Sequence, residues 1–413
     1  MHSIHYLLAG VAVAGSLLHA QESQLLNDGL LVRLRSEAAR THPAALAGKH
    51  RAAAVADEVR VVRLWDDPMV GLGFMGAEQM MRANEGDIIL GLEQRIPKPG
   101  MFEAEKRKAE AMRRAELANS QVPALAAGAE AARNAIELAL ADESISLQHA
   151  QVVWLTEMVE NARQMAADPM GSATDALRLE TELVKEQQML DAARRTREGY
   201  ATRLNLTLGR PFESRWPVLK LPVTPLPVPI TSSEIARIPH ANPKVRAMKE
   251  MVAAANAETR IADRDRLPQV SVGLDSRIYS GGDYRSTMVG VKMSLPWFND
   301  SSYQAKISAA RSRQLSSIED VETMRREVAA MVVSITTEAT NAAAQAQAYS
   351  GAVYEKALQA SKAIEASWIS SKSPLTDLLD SSRILFAIRL EQRRFIAMQL
   401  AALEELQVLV PHS

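Results

Sequence analysis

The chain has 413 residues and a formal net charge of −1, so nothing in its charge predicts binding to nucleic acid or electrostatic attachment to a membrane. It contains no cysteine, which excludes disulfides, thiolate metal ligands, a cysteine nucleophile and a lipid attached to cysteine. The sequence shows no nucleophile–base pair, phosphate-binding loop or metal-ligand spacing, so we expect neither an enzyme nor a cofactor.

A signal peptide is predicted over residues 1–20. Residues 6–18 are an apolar run of 13 residues, which is the size of a signal-peptide hydrophobic region and too short for a transmembrane helix. Two features depart from the usual pattern: no Lys or Arg precedes this run, and Leu18, three residues before the expected cleavage after Ala20, is not small. A buried N-terminal helix is the alternative.

Residues 21–209 are predicted to form a first structural repeat. Its elements are a helix, a hairpin over 68–96, a long helix over about 101–167 and a return helix over about 174–208. The first helix breaks at His42-Pro43, because a residue before proline disfavours the αR conformation. The long helix is rich in strong helix formers, and Pro123 and Gly128 are expected to bend it.

A connector over residues 210–233 separates this repeat from a second one. Six prolines in the connector rule out a helix there. Residues 234–413 then form the second repeat: a helix, a hairpin over 268–296, a long helix over about 302–370 and a return helix over about 374–408. Within the long helix, apolar residues step by three and four, the spacing of a coiled-coil seam, at Val321, Met324, Val328, Met331 and Ile335.

The second hairpin has the clearest strand pattern. Val270, Val272 and Leu274 alternate with polar or small residues, and each arm has about ten residues, enough for a tilted strand to cross a bilayer. One apolar and one polar face is typical of a strand between lipid and a wet lumen. The first hairpin has a weaker pattern at Val70, Leu72 and Phe74. An ordinary half-buried sheet in a soluble domain is the alternative for both hairpins.

The two repeats indicate an internal duplication. The matching pairs are His42-Pro43 with Asn242-Pro243 (243 − 43 = 200), Asp67-Pro68 with Leu267-Pro268 (268 − 68 = 200), Ile96-Pro97 with Leu295-Pro296 (296 − 97 = 199) and Thr174-Asp175 with Thr376-Asp377 (377 − 175 = 202). Two hairpins give only four strands, whereas the smallest single-chain membrane barrels have about eight. Several chains must therefore share one barrel if the hairpins lie in a membrane, because open edges are not tolerated in lipid.

With these landmarks, the chain after its signal resembles the TolC-like outer-membrane efflux channels over essentially its full length. The Ser294-Leu295-Pro296-Trp297-Phe298 exit from the second hairpin belongs to the same pattern. The segments Asp66-Asp67-Pro68-Met69 and Gln94-Arg95-Ile96-Pro97-Lys98-Pro99-Gly100 are similar to the heavy-metal branch of the family.

The resemblance implies a mainly α fold with a small membrane β part. The duplicated unit of long coiled-coil helices and β-hairpins would complete a shared β-barrel and α-helical tunnel as a homotrimer, in the outer membrane with a periplasmic extension. It implies a passive exit duct that works with outer-membrane lipid around it, a periplasmic adaptor and an inner-membrane resistance-nodulation-division pump, and that binds no nucleic acid. The absence of a lipid-modified cysteine and of a glycine at 371–374 departs from many relatives.

By the same resemblance, the helix–turn–helix tips are the gate and the adaptor contact. The candidate residues there are Asp168, Thr174, Asp175, Ser373, Thr376 and Asp377. Carboxylates repeated around a pore would favour cations. Helix capping is the alternative role, since Asp and Thr in a first turn satisfy free N–H groups. Ser373 and Pro374 are expected to be the N-cap and the first residue of the last helix.

The polar face of the second hairpin is expected to line the barrel lumen with Gln269, Asp275, Arg277 and Lys292. A merely wet wall is the alternative to a selectivity role for these four residues. The leading hypothesis for the whole chain is therefore the outer-membrane channel of a tripartite efflux system. A periplasmic coiled-coil scaffold without transport activity and a duct for type I protein secretion are the alternatives.

Overall fold

The computed structural model describes residues 23–75, 87–166, 173–228, 232–279 and 284–409. The predicted signal peptide, Asp168 and the turn of the second hairpin lie outside these ranges. Within them, the first repeat consists of β1 (Ser23–Leu25), α1 (Asp28–Thr41), α2 (Pro43–Val61), β2 (Met69–Met75), β3 (Asp87–Ile96), α3 (Met101–Asn119), α4 (Gln121–Ala166) and α5 (Ala173–Leu208).

The second repeat follows the same order. After β4 (Val218–Lys220) in the connector, its elements are α6 (Ser232–Ala241), α7 (Pro243–Asp265), β5 (Val270–Tyr279), β6 (Tyr284–Met293), a 3-10 turn (Pro296–Asn299), α8 (Asp300–Ser350), α9 (Ala352–Ile369) and α10 (Leu375–Leu409). The expected mainly α fold with a small β part is confirmed: long helices dominate, and each repeat contributes one hairpin.

The helix that leads into each hairpin begins in the same way. The side chains of His42 and Asn242 accept hydrogen bonds from the second backbone N–H of α2 and α7, at 3.3 Å and 3.0 Å. Pro43 and Pro243 follow as the first helical residues, where the missing N–H costs nothing. The repeated residue pairs are therefore helix starts with a shared capping mechanism.

Each predicted long helix is two helices in the structure. The first is interrupted at Ser120, just ahead of Pro123 rather than at it, because a proline is tolerated only in the first turn of a new helix. The second is interrupted at Gly351. None of the helices in the described ranges is both long and apolar enough to cross a membrane.

The predicted seam in α8 is correct at Val321, Val328 and Ile335, which are buried against α6, α7 and α10. It is wrong at Met331, which is exposed, while Val332 is fully buried in its place. A helix of 3.6 residues per turn allows the stripe to continue by four residues and then three, so the seam shifts by one position.

The hairpins join into one antiparallel sheet of four strands in the order β2-β3-β5-β6. Within the protomer, β2 and β6 are its unpaired edges. The helices that continue from these strands, α2, α3, α7 and α8, pack side by side in the same order. A second, two-stranded sheet pairs β1 with β4 in parallel and ties the chain start to the connector.

Candidate functional site

The four-stranded sheet has one apolar and one polar face. Residues that pair across the strands share a face, and the register places Val70, Leu92, Leu274 and Val289 in line. Val70, Leu72 and Val289 are 79%, 78% and 70% exposed. Exposed apolar side chains in such numbers require a covering apolar medium or partner.

The polar face carries an ion pair that spans three strands. Lys292 Nζ on β6 lies 2.6 Å from Glu93 Oε2 on β3, although β5 lies between these strands. Ser271 and Gly273 of β5 are small enough for the Lys292 side chain to cross above them. Glu93 was missed in the sequence analysis, although its position corresponds to Lys292 in the other repeat (292 − 93 = 199), which was a usable signal.

The other polar-face candidates have different surroundings. Asp275 and Arg277 lie half-buried on the same face as Lys292. Gly91 leaves room for Asp275, since an added Cβ there would lie 2.8 Å from Asp275 Oδ1. Gln269 precedes β5, and its side-chain amide donates to the carbonyl oxygens of Ile96 and Val270 at 2.9 Å and 3.1 Å. Gln269 therefore joins the ends of β3 and β5, whereas Asp275, Arg277 and Lys292 face the open side of the sheet.

The tip is the end of the molecule where the end of α4 lies beside the start of α5 and the end of α9 leads into the start of α10. Thr174 and Asp175 lie in the first turn of α5, and Thr376 and Asp377 in the first turn of α10. Thr174, Thr376 and Asp377 are exposed and Asp175 is half-buried. Both roles proposed for these residues, a charged constriction and the capping of a helix, are compatible with these positions.

The expected capping role of Ser373 is wrong. Its hydroxyl is hydrogen-bonded to the hydroxyl of Ser367, and α10 begins at Leu375, with the Asp377 N–H donating to the Pro374 carbonyl at 3.2 Å. The chain enters this turn through Ser371, which has a left-handed φ of 57°. The Ser371 and Lys372 N–H groups bond back to Trp368 and Ser367, so the turn is a Schellman motif with serine where glycine is usual.

One apolar cluster joins the two halves of the tip. Its buried members come from four helices and are Leu155, Met158, Val159, Ala162, Ala176, Leu179, Trp368, Leu375 and Leu378. Polar bonds surround it: Trp154 Nε1 donates to Glu365 at 3.1 Å and Gln151 donates to Ser382 at 2.7 Å. The tip candidates of the two repeats are therefore brought to one end of the molecule.

A charged group lies beside this cluster. Arg383 on α10 donates to Glu182 on α5 at 2.7 Å, and Lys185 lies 3.4 Å from the same carboxylate. Burial raises the pKa of Glu186, an effect that Lys185 opposes and Glu182 reinforces. Among the described residues, the Arg383–Glu182 bond is an ion pair that links α5 to α10.

The connector is held by buried side chains of both repeats. The Leu219 N–H donates to the buried carboxylate of Asp142 at 2.8 Å, and Arg197 forms an ion pair with the same carboxylate. On the other side, Gln399 is fully buried, accepts from the Leu226 N–H at 3.0 Å and donates to the Leu226 carbonyl. These contacts were not predictable from local sequence, because they join residues far apart in the chain.

A two-repeat protomer with an amphipathic four-stranded sheet, long helices in strand order and a double helical tip defines the class of TolC-like outer-membrane channel folds. Residues 236–410, most of the second repeat, match the family described as outer membrane efflux protein. The predicted resemblance is confirmed, and the expected location, an outer-membrane part with a periplasmic extension, is that of this family. No curated protein matches the sequence.

Solved structures match nearly the whole chain. The outer-membrane channel OprN is similar with a TM-score of 0.79 and 17% identity, over 92% of this chain and 90% of that one. CusC is similar with a TM-score of 0.80 and 15% identity, over 93% of both chains. The MtrE outer-membrane channel of Neisseria gonorrhoeae, in its open state, gives 0.72 and 18%, over 91% and 88%. Because the sequence identities are so low, these similarities establish the fold alone.

In the described ranges, no group of three or more His, Cys, Asp or Glu side chains is arranged to hold a metal ion. The family to which residues 236–410 match consists of channel proteins.

Proposed function

We propose that this protein is the outer-membrane channel of a tripartite efflux system, a passive exit duct through the outer membrane and the periplasm. The observation that carries the proposal is the sheet with one apolar face, one charged face and two open edges. A bilayer would cover the apolar face, and the charged face would line a wet passage. The helices that continue from the strands would extend this passage as a tunnel.

Copies of the chain would close the barrel. Each protomer supplies four strands, and an open edge in lipid leaves backbone groups without partners. Joining β2 of one copy to β6 of the next removes every edge, and three copies would give 3 × 4 = 12 strands. A dimer or a tetramer would also close, so the number three rests on the family resemblance.

The tip would meet the rest of the system. A periplasmic adaptor and an inner-membrane resistance-nodulation-division pump are the proposed partners. The residues proposed near the contact and the gate are Asp168, Thr174, Asp175, Ser373, Thr376 and Asp377. The tip shared by the two repeats supports this, because one end of the molecule presents both helix pairs. Substrate would be driven through by the pump, and the chain would contribute a wall and a gate.

Heavy-metal cations are the proposed cargo, and protein secretion by a type I system is the alternative. The resemblance of residues 66–69 and 94–100 to the heavy-metal branch supports this cargo, whereas the similarities to CusC and to OprN concern the fold alone. Deletion of the gene tests them: lost tolerance to copper, silver, zinc or cobalt supports metal export. Unchanged tolerance together with lost export of a secreted protein supports the alternative.

Cross-linking between the open edges tests the shared barrel. Gly71 on β2 and Gly290 on β6 share the polar face, and a side chain at either position would enter open space. Because the chain has no cysteine, Gly71→Cys/Gly290→Cys places the only two thiols in it. Treatment of membranes with a flexible bismaleimide should then give covalent trimers.

Each single-cysteine variant is the matched control, because one thiol per chain cannot link three chains in a ring. Persistent monomers in the double variant would contradict the shared barrel. Fractionation separates the channel from the scaffold alternative, since a scaffold is washed from membranes by carbonate whereas a barrel oligomer is released only by detergent.

A further inference from the structure

A groove of about 520 Å³ lies where α3, α7 and α8 meet, just below the sheet. Four arginines from these three helices line it: Arg107, Arg260, Arg264 and Arg311. Two carboxylates, Glu103 and Asp263, are also in its wall. The groove therefore has an excess of two positive charges.

The arginines of the groove are free to bind a ligand. All four are exposed, and within the described part of the chain no carboxylate lies within ion-pair distance of any of them, whereas Asp263 is engaged by Arg266 at 3.5 Å. The opposite side of α7 differs, because each of its carboxylates is paired there. Those pairs are Glu250 with Arg114, Glu258 with Lys108 and Arg313, and Asp265 with Lys98 and Lys306.

The hydrogen-bond pattern of β5 determines on which side of it β3 and β6 lie when the sheet is seen from its apolar face. The Ser294 N–H donates to the Gln269 carbonyl at 2.9 Å, so odd-numbered residues of β5, on the polar face, bond towards β6. Even-numbered residues, on the apolar face, then bond towards β3. For L-residues seen from the apolar face with β5 running upwards, β3 must lie to the right and β6 to the left.

The same view shows the groove. The helices keep the strand order, so α3 lies to the right of α7 and α8 to the left. Thr259 faces α8, where its hydroxyl bonds to Gln314 at 3.4 Å, and Arg264 faces α3, 3.3 Å from the place of a Cβ on Gly100. In a right-handed helix that runs upwards, the chain on the viewer's side passes from left to right. The surface of α7 between Thr259 on the left and Arg264 on the right therefore faces the viewer. The groove therefore opens on the side of the apolar face.

The depth of the groove fits the headgroup layer of a bilayer. Gly100 follows the end of β3 by four residues and Arg264 precedes β5 by six, so the upper end of the groove lies about one or two helical turns below the strands. Exposed aromatic residues mark the boundary above it: Trp65, Trp297 and Phe298 are 53%, 56% and 78% exposed. Such residues concentrate at the interface of membrane and water.

We propose that this groove binds the phosphate headgroup of an anionic phospholipid from the periplasmic leaflet of the outer membrane. The planar guanidinium groups suit phosphate oxygens, and the acyl chains would lie along the apolar face of the sheet. Neighbouring copies would approach α2 and α8, the ends of the helix row, and would leave the space between α3 and α7 open. The proposal rests on the placement of the sheet in the outer membrane.

Native mass spectrometry of the detergent-solubilised oligomer with equal amounts of phosphatidylglycerol and phosphatidylcholine tests the proposal. The test variant is Arg107→Gln/Arg260→Gln/Arg264→Gln/Arg311→Gln. The control, Lys108→Gln/Arg114→Gln/Lys306→Gln/Arg313→Gln, removes four cations from the paired side. A basic residue near an anionic surface contributes about fivefold in affinity, so the test variant should lose its preference for phosphatidylglycerol at least about tenfold, and the control should keep it.

An unchanged preference in the test variant would overturn the proposal, and so would displacement of the lipid by glycerol phosphate at equal concentration, which would assign the site to a free phosphate compound. If the fourfold variant fails to fold, Arg264→Gln alone should lower the preference about fivefold, and a smaller change would count against the site. Failure of the wild-type protein to enter bilayers at all would instead contradict the proposed function.

Discussion

Glu93 and Lys292 occupy the same position in the two repeats and are bonded to each other, Nζ to Oε2, at 2.6 Å. Their opposite charges allow them to pair across the intervening strand β5. The pair joins the two hairpins on the face that we assign to the lumen. It leaves that part of the wall with no net charge.

Loss of the cation from this pair should make the channel favour cations. In Lys292→Gln, each copy exposes an uncompensated Glu93, and carboxylates repeated around a pore attract cations. We expect the cation-to-anion permeability ratio, from reversal potentials in a salt gradient across a planar bilayer, to rise roughly twofold or more. The double variant Glu93→Gln/Lys292→Gln should return to the wild-type ratio, and equal ratios in all three proteins would contradict a lumen position.

Removal of the Arg383–Glu182 bond should favour an open tip. The bond links α5 to α10 at 2.7 Å, and a partly exposed ion pair contributes about 0.2–1 kcal/mol. Arg383→Gln should therefore raise the open population in planar bilayers by up to about fivefold. Arg394→Gln is the matched control, because Arg394 bonds within its own helix to Glu391. An equal effect of both variants would show that the Arg383–Glu182 ion pair has no specific role in keeping the tip closed.

Glycine at position 371 should stabilise the turn of the second tip. Ser371 has a φ of 57°, a conformation that costs a residue with a Cβ about 1 kcal/mol. We expect Ser371→Gly to slow hydrogen exchange of the backbone over residues 366–372 by roughly fivefold, and Ser371→Ala to leave it unchanged or faster. Slower exchange in the alanine variant as well would indicate that the serine hydroxyl, and not the backbone, sets the stability of the turn.

The Asp142–Arg197 pair should contribute strongly to the stability of the connector region. The Asp142 side chain is 3% exposed, so Asp142→Ala leaves the Arg197 charge without its partner and the Leu219 N–H without an acceptor. Breaking a buried pair in this way costs about 3–5 kcal/mol. Chemical unfolding followed by circular dichroism measures the loss, and Asp191→Ala, which removes an exposed pair with Arg194, should change stability by less than about 1 kcal/mol.

Acid should weaken the contact between α1 and the connector. Glu37 accepts two bonds of 2.6 Å from Arg210, and these bonds hold the pKa of Glu37 below its usual value. An acid with a lowered pKa adds stability above its unfolded pKa and loses it as the pH falls through the folded value. The melting temperature of the wild type should thus fall below about pH 4.5 more steeply than that of Glu37→Gln, and parallel curves would contradict this contribution.

The sequence predicted features that depend on local chemistry. Proline after His42 and Asn242 predicted two helix starts, and the alternation at Val270 and Val272 predicted a strand with two unlike faces. Features that depend on distant contacts were not accessible. The burial of Val332 instead of Met331 is decided by packing against other helices, and a helix period alone allows either.

In the candidate site, too, residues placed by local patterns were predicted, and those placed by distant contacts were not. Lys292 and Asp275 were predicted on the polar face from the alternation of β5 and β6. The partner of Lys292 was missed because the pairing crosses a strand, and the capping role of Ser373 was wrong because the preceding turn directs its hydroxyl back to Ser367. The arginine groove was missed because its residues come from three separate helices.

The bonded connector has a consequence for motion in the proposed duct. Asp142 and Arg197 hold it on one repeat and Gln399 holds it on the other, so at this height the connector ties α4 and α5 to α10. In the proposed duct, we therefore expect dilation during export to occur on the tip side of the connector, where this tie between the two repeats no longer acts.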